Sequence, residues 1–132
     1  MRTSLAYLLL TLSSLHAAIS PDHIRRLQEE AAEALVIKAD QVDVKITELK
    51  DGRRLDIQVT ASVQSVIRSK AGHKPGDVVK IAYKVMDLKN PPPGPDEPKV
   101  LEKGEAVCAY LDHSGDKQPL RLAVYGHSFQ KP

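Results

Sequence analysis

A change of hydrophobic period near residue 36 divides this chain into a helical and a β-forming part. Upstream, Ile24, Leu27, Ala31, Ala34 and Leu35 recur at the three- and four-residue steps of a single helical stripe. Downstream, Val42, Val44 and Ile46, then Leu55, Ile57, Val59, Ala61 and Val63, alternate with polar residues, as strands with one wet face do. The predicted helix spans 20–35, with Ser20 as its cap, Pro21 at its first position and Asp22 complementing the N-terminal dipole. Arg25, Arg26, Glu29, Glu30 and Glu33 fall mostly on its other, solvated face.

Lys50-Asp51-Gly52-Arg53 separates the first two alternating runs, and its Asp-Gly pair suits a tight turn, so a long antiparallel hairpin is expected. After Val63 the alternation slips, because Val66 and Ile67 leave the phase of Val59 and Ala61; a bulge at about 64–66 restores the buried face. A Gly- and Pro-bearing loop over 70–77 leads to a third strand from Val78 to about Met86, with Val79, Ile81, Tyr83 and Val85 on one face. The prolines of 89–98 exclude strand and helix and make a stiff surface connector. A turn at 102–105 precedes Ala106 to Leu111, apolar on both faces and therefore a covered, central strand. After a loop over 112–119, a last strand is expected from Leu120 to about Phe129. One N-terminal helix and five principal strands, the second of them bent, predict a mainly β fold: a small five-stranded OB-like barrel, with a compact sandwich as the alternative.

Residues 1–18 have the layout of a secretory signal: Arg2, an apolar run from Leu5 to Leu12, then small residues. That run is less than half the ~20 residues a membrane-crossing helix needs. Removal is expected near residue 18, with Leu15 or His16 at the minus-three position leaving the cut undefined, and 19–132 is expected to form a single secreted or periplasmic domain without stable membrane insertion. Composition agrees with a folded domain, being 42% hydrophobic and 27% charged. A net charge of +2 supplies no field that would mark a nucleic-acid or anionic-membrane partner. The single Cys, Cys108, excludes an internal disulfide, and its apolar neighbours predict burial.

The stretch Ala61 to Ile81, with its Val63-Gln-Ser-Val66 strand and its Gly72-His-Lys74-Pro75-Gly76-Asp77 turn, followed by Leu101-Glu-Lys-Gly104-Glu105 and Ala109-Tyr110-Leu111, resembles bacterial exported proteins with a netrin-like or metalloproteinase-inhibitor-like module. The likeness covers about residues 60–111 and implies an OB-fold. Animal inhibitors of that superfamily chelate a protease zinc through an N-terminal Cys held by disulfides. This chain has neither, so the resemblance carries over fold and not inhibition by that route.

Chemistry-bearing motifs are sparse. His127 and Ser128 would point to opposite faces of a continuous strand. His23, His73, His113 and His127 show no metal-ligand spacing, and the Asp112, His113, Ser114, Asp116 loop lacks the acid order of a calcium loop. Gly72 and Gly76 open no phosphate-binding helix. Glu29 with Glu30 and Glu102 with Glu105 sit on a helix face and in a turn, where solvation keeps carboxylates ordinary. With no catalytic residue, metal or cofactor expected, the leading expectation is an exported, non-catalytic binding module for an envelope or extracellular protein. The alternatives are a structural accessory domain and an enzyme with a site assembled across loops. Aromatics are too few for a nucleic-acid platform. The ligand face expected at the barrel mouth comprises Arg68, Lys70, His73, Tyr83, Lys84 and Tyr125.

Overall fold

The computed structural model describes residues 20–94 and 96–132. The expected export segment, 1–18, lies outside them. The first element is the helix α1, Pro21–Glu30, capped by Ser20, whose Oγ accepts the His23 N–H at 3.2 Å. It stops short of the predicted residue 35. Ala31 is already extended, and strand β1 begins at Glu33 and runs to Leu49. The reason is visible at Ala34 and Leu35, both fully buried and, as strand neighbours, facing opposite sides of the sheet. A doubly covered strand has consecutive apolar residues and cannot be told from a helical stripe by period alone. Pairing on both edges, with β2 and β4, then decides.

β2 covers Gly52–Ser69 and forms the expected long hairpin with β1. Gly52 is required at the turn: a Cβ there would sit 2.2 Å from the Asp87 carbonyl oxygen. The pairing of β1 with β2 skips Asp40 on β1, and Gln64 and Ile67 on β2, so bulges do fall where the alternation slips. β3, Val78–Leu88, pairs with β2 and turns Val79, Ile81, Tyr83 and Val85 inward. β4, Ala106–Asp112, lies against β1 and is buried on both faces at Val107, Cys108 and Ala109.

The predicted last strand is interrupted. β5 is only Arg121–Leu122 and β6 only Phe129–Gln130, both paired with β4, with a 3-10 turn at Tyr125–His127 between them. One backbone torsion and two contacts break the strand. Tyr125 takes a φ of 52°, the Ser128 hydroxyl accepts the Val124 N–H at 2.9 Å, and Gly126 lies so close to the Pro-rich connector that a Cβ would be 2.0 Å from the Asp96 carbonyl oxygen.

The result is one antiparallel six-stranded sheet, ordered β3-β2-β1-β4-β5, with β6 also on β4. Its inner face holds Leu35, Ile37, Ile57, Val59, Ile81 and Leu111, with Leu101 of the connector packed against them, and Tyr83 meets Phe129 edge-on at 5.4 Å. Among the described residues no continuous ladder closes the sheet. Its outer members approach at one residue, where the Leu120 N–H donates to the Lys80 carbonyl at 2.8 Å and the Ala82 N–H to the Leu120 carbonyl at 3.0 Å.

Candidate functional site

Three strands bring distant segments together at one end of the core. Glu33 opens β1 in register with Ser69, the last residue of β2, and with Leu111 near the end of β4. Alternation along β1 places its side chain on the face of Leu35 and Ile37, so a carboxylate stands at the rim of the apolar interior, fully buried. A charge in that position is costly unless it is paired. Glu33 Oε1 accepts the Ala71 N–H at 3.0 Å and lies 2.8 Å from His113 Nε2, while Oε2 has no hydrogen-bond partner among the described residues. Burial, the largest influence, raises its pKa; the Ser69 hydroxyl, the Ala71 N–H, the His113 ring and His73 together outweigh it and hold the carboxyl below its ordinary value.

Glu33 therefore ties two loops to β1, the one after β2 and the one after β4. The first is stiffened from within: the His73 N–H donates to Ser69 Oγ at 2.8 Å, and the Lys74 N–H to the Asp77 carboxylate at 2.9 Å. His73 Nδ1 stands 3.7 Å from that same carboxylate. In the second, Asp112 accepts the Ala32 N–H at 3.0 Å, anchoring the exit of β4 beside the start of β1. Between the loops lies an open cleft of about 570 Å³, lined by Ala71 and His73, by His113 and residues 115–118, and by Gln58, Val79, Lys80 and Leu120. His113 also borders an adjoining recess of about 460 Å³ with Lys70, Asp112 and Arg121.

A half-exposed imidazole oriented by a buried carboxylate can donate or accept a hydrogen bond in the cleft with a fixed ring plane. No hydroxyl or thiol reaches that ring among the described residues. Cys108 is buried on the opposite face of β4 from Leu111, out of line with Glu33. The described residues contain no group of three His, Cys, Asp or Glu arranged to hold a metal ion.

The six expected ligand residues do not assemble. Lys70 and His73 border the cleft and its recess. Arg68 is instead the clamp of α1, its guanidinium donating to the Gln28 carbonyl at 2.6 Å and to the Ala31 carbonyl at 2.8 Å. Tyr83 faces the core; its hydroxyl donates to the Lys99 carbonyl at 2.8 Å and accepts the Leu101 N–H at 3.1 Å, fastening the end of the Pro-rich connector. Lys84 is exposed on β3 opposite Asp56. Tyr125 lines a separate groove of about 480 Å³ with Met86 and Pro91–Pro93. Sequence reasoning missed Glu33, which it put on a helix surface, and left His113 out of the ligand face, giving it a role only in the enzyme alternative. The available signal was a lone acid inside Ala31-Ala-Glu-Ala-Leu-Val-Ile37, which a strand period would have turned inward.

No family model, no curated protein and no solved structure matches this chain, so the reading of the site stands on its own geometry.

Proposed function

We propose that the protein is an exported, non-catalytic binding module on an OB-like, partly open barrel, and that it takes a segment of an envelope or extracellular protein in the cleft between the 70–77 and 113–119 loops. The barrel reading draws on the strand order and on the parallel contact at Leu120, which brings β3 alongside the start of β5. It agrees with the OB-fold implied by the netrin-like likeness of the turn motifs. The observation that carries the binding reading is the buried Glu33, whose carboxylate is engaged in holding both loops in place, leaving their polar side chains preorganised at the rim. Lys80, Lys117, His73 and His113 line the cleft against the single acid Asp116, so a segment bearing carboxylates fits best.

Titrating the full chain with an acidic probe, a decapeptide alternating Glu and Gly, tests this. Saturable binding is expected, weakened about tenfold in a Lys80→Glu, Lys117→Glu variant and further weakened by salt. Absence of saturable binding, or indifference to both substitutions, sinks the reading and favours a structural accessory role.

A second reading, an enzyme in which His113 acts as a base, draws on the same 2.8 Å contact with Glu33. It needs a reacting group at the other ring nitrogen, and the described residues offer none. Turnover of ester or amide probes that His113→Ala abolishes would promote it over the first.

A further inference from the structure

β1 is flanked on both sides only for part of its length. β4 accompanies it from Glu33 to Lys38, and Ala39 still exchanges hydrogen bonds with Gly104 and Glu105. From Gln41 to Leu49 it pairs with β2 alone, and among the described residues no backbone group outside that hairpin bonds to this stretch. Among the described residues its other edge is open. Leu49 and Gly52 close a two-residue turn, so their backbone groups face each other. Alternation from that pair turns the N–H and C=O of Val42, Val44 and Ile46 outward. The same count continued past the Asp40 bulge turns Ala39 outward, in agreement with its bonds to Gly104 and Glu105. The open edge thus presents a row of unpaired donors and acceptors. Beside it Val44 and Ile46, 42% and 52% exposed, lie on the same sheet face as their partners, Ile57 in the core and Leu55 packed against it.

Long, apolar, unbulged edges recruit another strand unless charge or proline blocks them. The stretch has no proline, and its two central charges have opposite signs. We infer that this edge is the interface between two copies of the chain, joined about a two-fold axis through Val44 with the β1 strands antiparallel. In that register Val44 meets its own copy, Val42 meets Ile46, and Asp43 meets Lys45 twice, once on each side of the axis. The neighbouring registers fail. An axis through Asp43 sets that acid against itself, and one through Lys45 sets that base against itself. An axis through Ile46 places Val44 against Glu48, and any shift by a single residue puts apolar side chains opposite charged ones. Over Val42–Ile46, short of the Ala39 backbone groups already bonded to Gly104 and Glu105, only the Val44 register of these matches apolar to apolar and acid to base, and it joins the outward backbone groups as a hydrogen-bonded pair. The interface is isologous and closed, so it ends at two copies. It leaves the cleft between the 70–77 and 113–119 loops free and is independent of what that cleft binds.

The test uses the full chain and two single variants, Asp43→Lys and Lys45→Asp, with mass measured by light scattering or sedimentation over a concentration series. The wild type is expected to dimerise. Each variant alone opposes like charges at both sides of the axis and should self-associate at least about tenfold more weakly. An equimolar mixture of the two restores both acid–base pairs and should dimerise again, an outcome that loss of folding in either variant would not produce. A wild type that stays monomeric at about 100 μM, variants that dimerise as well as it does, a mixture that stays monomeric, or open-ended aggregates in place of a dimer would each overturn the inference.

Discussion

Glu33 shows how one residue can set the geometry of a site without lining it. Because its folded pKa lies below the ordinary carboxylate value of 4.5, its contribution to stability is complete above that value and is lost as the pH falls through the folded one. Glu33→Gln should therefore flatten the acid limb of the stability profile, measured by urea midpoints from pH 6 downward, and cost about 1–3 kcal/mol near neutrality. Tyr83 acts in the opposite range. Burial, its main influence, and Glu105 push its hydroxyl up to about 12, against a smaller lowering by the Leu101 N–H. A neutral phenol favoured by the fold stabilises fully below the ordinary pKa of 10 and loses that contribution as the pH rises toward 12. The difference in midpoint between wild type and Tyr83→Phe should shrink across that interval. At lower pH, Tyr83→Phe leaves the Lys99 carbonyl and Leu101 N–H without their partner and should cost about 1–2 kcal/mol. Neither role was legible from residue type. Glu33 reads as helix surface and Tyr83 as a ligand residue until the partners brought by β4 and the connector are known.

Among the elements, α1 is the most weakly held. None of its residues is fully buried, and it is tied down by Arg68 at its C-terminal carbonyls and by Gln28, whose side-chain amide donates to the His127 carbonyl at 3.1 Å. A cation at a helix C-terminus satisfies carbonyls that have no partner within the helix. Arg68→Ala should release α1 at a cost of about 1–3 kcal/mol. Hydrogen exchange should show its amides losing protection while those of β2 and β3 keep theirs; equal loss throughout the sheet would contradict the clamp. The hairpin, its turn and its bulge were legible because alternation and Asp-Gly are local signals. The helix end and the broken last strand were not, because each is decided by chain distant in sequence: β4 beside Ala34, and Asp96 against Gly126.

At the scale of the whole molecule, the two outer members of the sheet meet through Leu120. Its backbone bridges β3 and its side chain enters the core, 7% exposed. Leu120→Ala should lower global stability by about 2–4 kcal/mol in denaturant titration, the cost of a core leucine removed without full collapse of the site. If the loss is confined to β5 and β6, with β1 to β3 unaffected, the Leu120 contact is not part of a shared core.

The β-rich class, the leading helix, the hairpin and the inward stripe of β3 were all readable in the amino-acid order, since each follows from the period of neighbouring side chains. Which carboxylate is buried, which loops frame a cleft and which edge of β1 is left open among the described residues emerged only from the folded arrangement. Those outcomes depend on segments separated by up to about eighty residues, and a pairwise contact between Glu33 and His113 leaves no periodic trace in either stretch of chain.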